Sequence, residues 1–388
     1  MRVLYVNQTA QISGAERSLL ALLSGLDGDP ESLVACPPGD LSEALREGGI
    51  ETTAIAGTEA SFRLHPLHTP RGLGEIGHSS LQVRRLASRL APDLVHANTT
   101  RASLLALLAR RPRPPVLAHI RDWVPDGRFS RFVLGVIARR ADAVVANSAY
   151  VARQFDGLPL RRPVRVVHNP VDLERFDPAR ADGPAVRRQL GIGPEAIVVA
   201  TVAQLTPWKG QDDAIAALAA LPASDRETVL LLVGSAKFAA AGAQFDNPAF
   251  ERRLHELASE LGVAERVRFA GERSDIPDIL AATDVLLMPS WREAFGRIAI
   301  EAMAMEVPVL ATEVGGPAEI VRAGVDGLLL PSREPEAWSR ALEPLLASAA
   351  RRRQMGREGR VRARDFGVEG HVAAFRRLYA ELDRRPAS

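Results

Sequence analysis

Glu293 and Glu301 stand eight residues apart in Pro289-Ser-Trp-Arg-Glu-Ala-Phe-Gly-Arg-Ile-Ala-Ile-Glu301, and this spacing is rich in chemical possibilities. An apolar run ends at Met288, a glycine-containing turn follows, and residues 298–305 carry a helical pattern. The first amides of such a helix, from Ala294 and Phe295 to Gly296 and Arg297, have no partner within it and suit a phosphate. Glu293 precedes the helix and Glu301 lies more than one turn inside. One carboxylate can accept hydrogen bonds from a sugar at the mouth, the other from a ribose along the helix. The plain alternative is an amphipathic surface helix with two ordinary glutamates.

Lys209 is the second signal. Nearly every basic residue of the chain is arginine, and lysine occurs at Lys209 and Lys237 alone. Lys209 follows an expected strand over residues 198–202 and precedes a helix starting near Asp212. A cation at that strand end faces the ligand crevice of an open α/β sheet and can offset charge on a departing diphosphate. Gln204 stands a few residues earlier. Gly234 and Ser235, with Lys237 nearby, end another strand at the same edge, and Arg273 follows Phe269-Ala-Gly271; both read equally as loop residues. In the first half, Ser13 and Gly14 occupy a strand–helix turn where glycine lets backbone approach a phosphate, or simply turn the chain. His119 closes an apolar strand and is followed by Arg121 and Asp122; taken alone it reads equally as a core or a functional histidine.

Other chemistries are disfavoured. No GxGxxG follows the first strand and no P-loop is present, against a dinucleotide-binding oxidoreductase or a P-loop enzyme. The histidines are scattered and no Asp/Glu/His cluster has ligand spacing, so no metal is expected. Asp27-Gly-Asp29 reads as a turn. A net charge of +2 gives no push toward nucleic acid. The single cysteine, Cys36, excludes an internal disulfide.

The elements that must position these residues follow from alternation. Strands are expected over 3–6, 33–36, 94–97, 116–120, 143–146 and 164–167. A second series follows over 198–202, 230–233, 267–270, 285–288, 307–310 and 327–330, with helical patterns between. The rhythm predicts βαβ units and parallel sheets. At 388 residues the chain exceeds one core, and the turn-rich segment from His168 to Pro178 is the expected linker. Residues 58–78, with their Gly, Pro and His, are expected to be a loop. Residues beyond Trp338 read as helical, and the arginine-rich 351–364 stretch reads as a solvated face rather than a membrane-surface helix.

These motifs resemble the retaining GT-B glycosyltransferases of family GT4, whose signature is two carboxylates spaced as Glu293 and Glu301. The resemblance takes in Ser13-Gly-Ala-Glu16, His119, Ala146-Asn-Ser148, Asn169-Pro-Val-Asp172, Trp208-Lys-Gly210 and Gly315-Gly316 before Glu319. It implies two Rossmann-like domains across a cleft: residues 1–172 for the acceptor, 173–367 for the nucleotide-sugar, with a last helix (368–388) packing back on the first. It implies that Glu301 holds the ribose, that Glu293 contacts the donor sugar, and that Lys209 serves the phosphates. His119 would lie near the anomeric carbon, Arg273 beside the base, and Arg121 and Asp122 toward the acceptor. The family usually carries an arginine where this chain has Gln204. The expected activity is transfer from a UDP- or GDP-linked sugar, without metal or other cofactor, to a small-molecule, glycan or lipid-linked acceptor. An epimerase or phosphorylase on the same scaffold, or a non-catalytic sugar-nucleotide-binding protein, are the alternatives. The expected location is cytoplasmic, with peripheral contact to the inner membrane face left open.

Overall fold

The computed structural model describes residues 1–58, 68–109, 114–223, 226–236 and 245–383. The chain divides into two compact units, Met1–Pro170 with Val368–Ser388, and Val171–Gly367.

The first unit holds seven parallel strands: β1 (Arg2–Val6), β2 (Glu31–Cys36), β3 (Glu51–Ala54), β4 (Leu94–Ala97), β5 (Val116–Ile120), β6 (Ala143–Ala146) and β7 (Arg165–Val166). Their order is β3-β2-β1-β4-β5-β6-β7. The central strands are buried along their length, as strands covered on both faces must be, and this is why they read as short apolar runs. The helix Val368–Asp383 supplies Val372, Phe375, Leu378, Tyr379 and Leu382 to the same core as Leu19, Leu22, Leu23 and Leu26 of the helix Gly14–Leu26.

The second unit repeats the plan with six parallel strands: β8 (Ile197–Val202), β9 (Thr228–Val233), β10 (Val267–Gly271), β11 (Val285–Met288), β12 (Val309–Thr312) and β13 (Gly327–Leu330). The order β10-β9-β8-β11-β12-β13 means that successive strands are added in one direction from β8 and in the other from β11, so the winding reverses between β8 and β11. In the first unit the reversal lies between β1 and β4. Loops leaving the carboxyl ends of such a strand pair diverge and leave room for a ligand. Val171 already belongs to the second unit, donating its amide to the Phe366 carbonyl at 2.8 Å.

Three expectations need correction. The segment from residue 58 is not loop throughout: the helix His68–Leu90 occupies its second part, while residues 59–67 lie outside the described residues. That helix buries Val83 and Leu86, and the Cβ positions at Gly74 and Gly77 are open, so its glycines interrupt the pattern without obstructing the helix. The strand expected at 307–310 runs instead over Val309–Thr312, because Pro308 brings no amide to a ladder. The edge strand β3 was not expected; its Glu-Thr-Thr-Ala sequence has no apolar run. No helix among the described residues is long and apolar enough to cross a membrane.

Candidate functional site

The two loops that diverge at the second unit's reversal carry Lys209 and Glu293. After β8 the chain passes Gln204 and enters a single 3-10 turn, Pro207–Lys209. After β11 it runs through Pro289–Gly296 into the helix Arg297–Ala304. The Trp291 amide donates to the Trp208 carbonyl at 2.9 Å, tying the loops together. Lys209 Nζ donates to Glu293 Oε2, and the pair is largely buried. The ammonium also lies 4.1 Å from the centroid of the Trp208 ring, and Ser290 Oγ lies 3.4 Å from the same carboxylate oxygen.

The backbone of Glu293 is fixed from a third direction. Its amide donates to the Val314 carbonyl at 3.1 Å, and its carbonyl accepts from the Gly316 amide at 2.9 Å. Gly315 packs against this segment at φ 113°, and a Cβ there would stand 2.0 Å from the Glu293 carbonyl oxygen. Only glycine fits so close a backbone approach in that conformation. Gly296, at φ 95°, then turns the chain into the helix. One turn on, Glu301 is buried and takes an ion pair from Arg297, Nη2 to Oε1, at 2.9 Å. Phe295 is buried in the core beneath the turn beside Ala299 and Ile300, so apolar packing holds the helix start in place.

Lys209, Glu293, Ala294–Arg297 and Glu301, singled out in the sequence, lie together at one end of one sheet, and Ser290 joins them there. Gln204 directs its carbonyl to Gln211 Nε2 at 2.8 Å. Gly234, at the end of β9, donates its amide to the Gly271 carbonyl at 2.8 Å, so the β9 and β10 loops are also braced at this edge. The Arg273 side chain is committed to Asp275 through two bonds of 2.8 and 2.6 Å, and to Gln189 at 2.8 Å. Lys237 lies outside the described residues.

In the first unit, Ser13 directs both its amide (3.0 Å) and its hydroxyl (2.5 Å) to Glu16 Oε2. Asn7 Nδ2 reaches the other oxygen of that buried carboxylate at 3.2 Å, and Asn98 Nδ2 donates to Asn7 Oδ1 at 2.9 Å. The Ser13–Gly14 turn is thus stapled across the β1/β4 reversal, with Gly14 opening the helix. His119 is fully buried at the end of β5, its Nδ1 3.2 Å from Nε2 of His96. Burial, then the charge of Arg121, holds both imidazoles well below the usual histidine range, so both are neutral at physiological pH. Arg121 is buried and donates from Nη1 to Asn169 Oδ1 at 2.8 Å, whereas Asp122 is exposed. Sequence reasoning missed His96, Tyr5, Tyr379 and Ser290. The available signal for His96 was a histidine inside the apolar strand Leu-Val-His-Ala.

Among the described residues no group of three or more His, Cys, Asp or Glu is placed to hold a metal ion. What the second-unit site offers is a cation, a helix start and two buried carboxylates, a set suited to a diphosphate flanked by two hydroxyl-bearing rings.

Comparison with known proteins agrees with this chemistry. The model of glycosyltransferase family 4 matches residues 12–175, and that of glycosyl transferases group 1 matches residues 182–362. A D-inositol 3-phosphate glycosyltransferase of Mycolicibacterium gilvum is 34% identical over 352 residues, spanning 88% of this chain and 72% of that protein. The chain belongs to glycosyltransferase family 4. It is accordingly an enzyme, a glycosyltransferase, and its two parallel-sheet Rossmann-like units are those of the GT-B fold. Anabaena Alr3699/HepE, solved in complex with UDP-glucose, has a TM-score of 0.82 and 27% identity, covering 98% of this chain and 100% of that one. Sucrose-phosphate synthase from Thermosynechococcus elongatus shares the fold, with a TM-score of 0.81 and 21% identity over 98% and 99% of the two chains.

Proposed function

We propose that this glycosyltransferase moves a sugar from a nucleoside diphosphate sugar to a hydroxyl acceptor, with retained anomeric configuration and without a metal ion. The observation that carries the reading is the convergence of Lys209, Glu293 and Glu301 around one helix start. In this reading Glu301 accepts from the ribose hydroxyls and Glu293 from the donor sugar. The Lys209 ammonium and the helix amides share the negative charge that collects on the diphosphate as the sugar–phosphate bond breaks. The acceptor oxygen bonds to the anomeric carbon from the side the diphosphate leaves, and its proton passes to a phosphate oxygen. A fixed ammonium and amide dipoles supply the charge stabilisation that a divalent ion gives elsewhere.

A UDP-linked donor is favoured over a GDP-linked one by the likeness to a protein solved with UDP-glucose. A small polyol phosphate is the first acceptor to try, because several relatives carry the name D-inositol 3-phosphate glycosyltransferase; glycan and lipid-linked acceptors come next. The second unit would grip the nucleotide-sugar and the first the acceptor. A thermal-shift screen of UDP-, GDP- and ADP-sugars identifies the donor, since a tight ligand raises apparent stability by mass action. Transfer is then followed with excess EDTA, and the product anomer is read by NMR. Activity lost to EDTA and restored by Mg²⁺ or Mn²⁺, or an inverted product, would overturn the reading.

A further inference from the structure

His119 ends a buried file of polar rings that crosses three neighbouring strands, with Tyr5 on β1, His96 on β4 and His119 on β5, and takes in Tyr379 of the C-terminal helix. Tyr5 Oη lies 3.1 Å from Tyr379 Oη, Tyr379 Oη 2.7 Å from His96 Nδ1, and His96 Nε2 3.2 Å from His119 Nδ1. All four side chains are buried, and the Phe375 ring centroid lies 5.1 Å from each imidazole. His119 Nε2 is buried and has no hydrogen-bond partner among the described residues.

The direction of the protons along this file follows from acidity. A phenol releases its proton near pH ~10, and an imidazole nitrogen takes one up near ~6.5, so the phenol donates and the imidazole accepts. Tyr379 therefore gives its hydrogen to His96 Nδ1. A neutral imidazole has one donor and one acceptor nitrogen, so His96 carries its proton on Nε2 and donates it to His119 Nδ1. The same rule places the His119 proton on Nε2. Burial and the nearby Arg121 charge keep either ring from taking a second proton.

We propose that Tyr379, acting through His96, fixes His119 as a neutral Nε2–H hydrogen-bond donor, held to meet an oxygen of the bound sugar or acceptor rather than to take a proton. This rests on the reading of sugar transfer above. In that reading His119 would be the residue that meets substrate, with His96 and Tyr379 as positioning residues, and Tyr379 would give the C-terminal helix a part in the chemistry. A donor N–H left unpaired in the core is costly by itself, and its cost is recovered when an oxygen arrives.

The tautomers can be read directly. In protein with ¹⁵N-labelled histidine, long-range proton–nitrogen spectra assigned with single His variants should show His96 and His119 as neutral Nε2–H forms from pH 6 to 8. Tyr379→Phe keeps the packing ring but removes the hydroxyl, and should move both histidines away from the pure Nε2–H form. Tyr5→Phe, which leaves the Tyr379-to-His96 bond, should not. A wild-type His119 found as the Nδ1–H form or as a cation overturns the proposal, as does an unchanged His119 signal in a folded Tyr379→Phe variant. Release of UDP from UDP-glucose separates donor from base: His119→Asn, which keeps an N–H, should retain more than tenfold the rate of His119→Ala. Equal rates in the two variants would remove the donor role. A wild type that turns over no nucleotide-sugar would instead count against sugar transfer, leaving the tautomer result standing.

Discussion

Lys209 and Glu293, 84 positions apart in the chain, form one largely buried ion pair because β8 and β11 are the strands between which the second sheet reverses. The pair compensates each charge, and in the proposed reaction a diphosphate would compete for the ammonium. A cation beside a breaking bond matters most as charge accumulates, so its removal lowers turnover more than affinity. Lys209→Ala should reduce kcat by about 10²-fold, on the scale of one preorganised electrostatic group. Lys209→Arg should recover part of the loss, since a planar fork replaces a compact ammonium poorly. Gln204→Arg, which restores the family's usual residue, should soften the defect. Steady-state transfer kinetics check this, and a near wild-type kcat in Lys209→Ala would remove Lys209 as the leaving-group cation.

Glu301 sits one turn inside the helix that Gly296 opens, paired with Arg297. Its second oxygen is the one a ribose would use. Glu301→Ala should weaken binding of the free nucleoside diphosphate by ~1.5–3 kcal/mol, the range of charge-assisted hydrogen bonds. Calorimetric titration with UDP measures it. Unchanged affinity in a folded variant would take the ribose contact away from Glu301.

The elements around this site were legible in the sequence for a physical reason. Strands of a parallel sheet buried on both faces are compact apolar runs, and β4, β5, β6 and β11 have the bounds their runs imply. What periodicity could not show was whatever depends on the third dimension. Glu51-Thr-Thr-Ala pairs at an edge, where burial no longer selects apolar residues. Gly72, Gly74 and Gly77 disguise a helix whose packing overrides their low propensity. At the site, Lys209, Glu293 and Glu301 were visible as types at telling positions, but the Ser290 contact needed coordinates. So did the meeting of His96 with Tyr379, which are 283 residues apart.

Gly315 offers a test of how tightly Glu293 must be held. A Cβ at this position would press on the Glu293 carbonyl oxygen and would sit at a φ that side chains rarely adopt. Gly315→Ala should cost about 1–3 kcal/mol of stability, the usual scale for forced overpacking or a strained backbone. It should also weaken nucleotide-sugar binding, because the segment that must shift carries Glu293. Denaturant unfolding gives the first number and titration the second. A variant with wild-type stability and affinity would show that the Glu293 backbone is free to move.

Asp213, in the first turn of the helix Gln211–Ala219, should make stability depend on pH. Burial, then the neighbouring charge of Asp212, raises its carboxyl to about 6, while Arg333 opposes the shift. Its Oδ2 has no hydrogen-bond partner among the described residues, which fits a carboxylate held at a cost. A carboxyl whose folded value is raised favours the folded state when protonated. That contribution is complete below the unfolded value near ~4 and is lost as pH rises through about 6. Asp213→Asn removes the charge without changing shape. It should therefore stabilise the protein at pH 7.5, by up to about 3 kcal/mol for a shift of roughly two pKa units, and by only about a third as much at pH 4.5. Some of the gain at neutral pH will be offset by losing a negative charge near a helix N-terminus. Denaturant unfolding of both proteins at the two pH values decides the matter. Equal stability at pH 7.5, or a gain confined to pH 4.5, would mean that Asp213 is ionised in the fold at no cost.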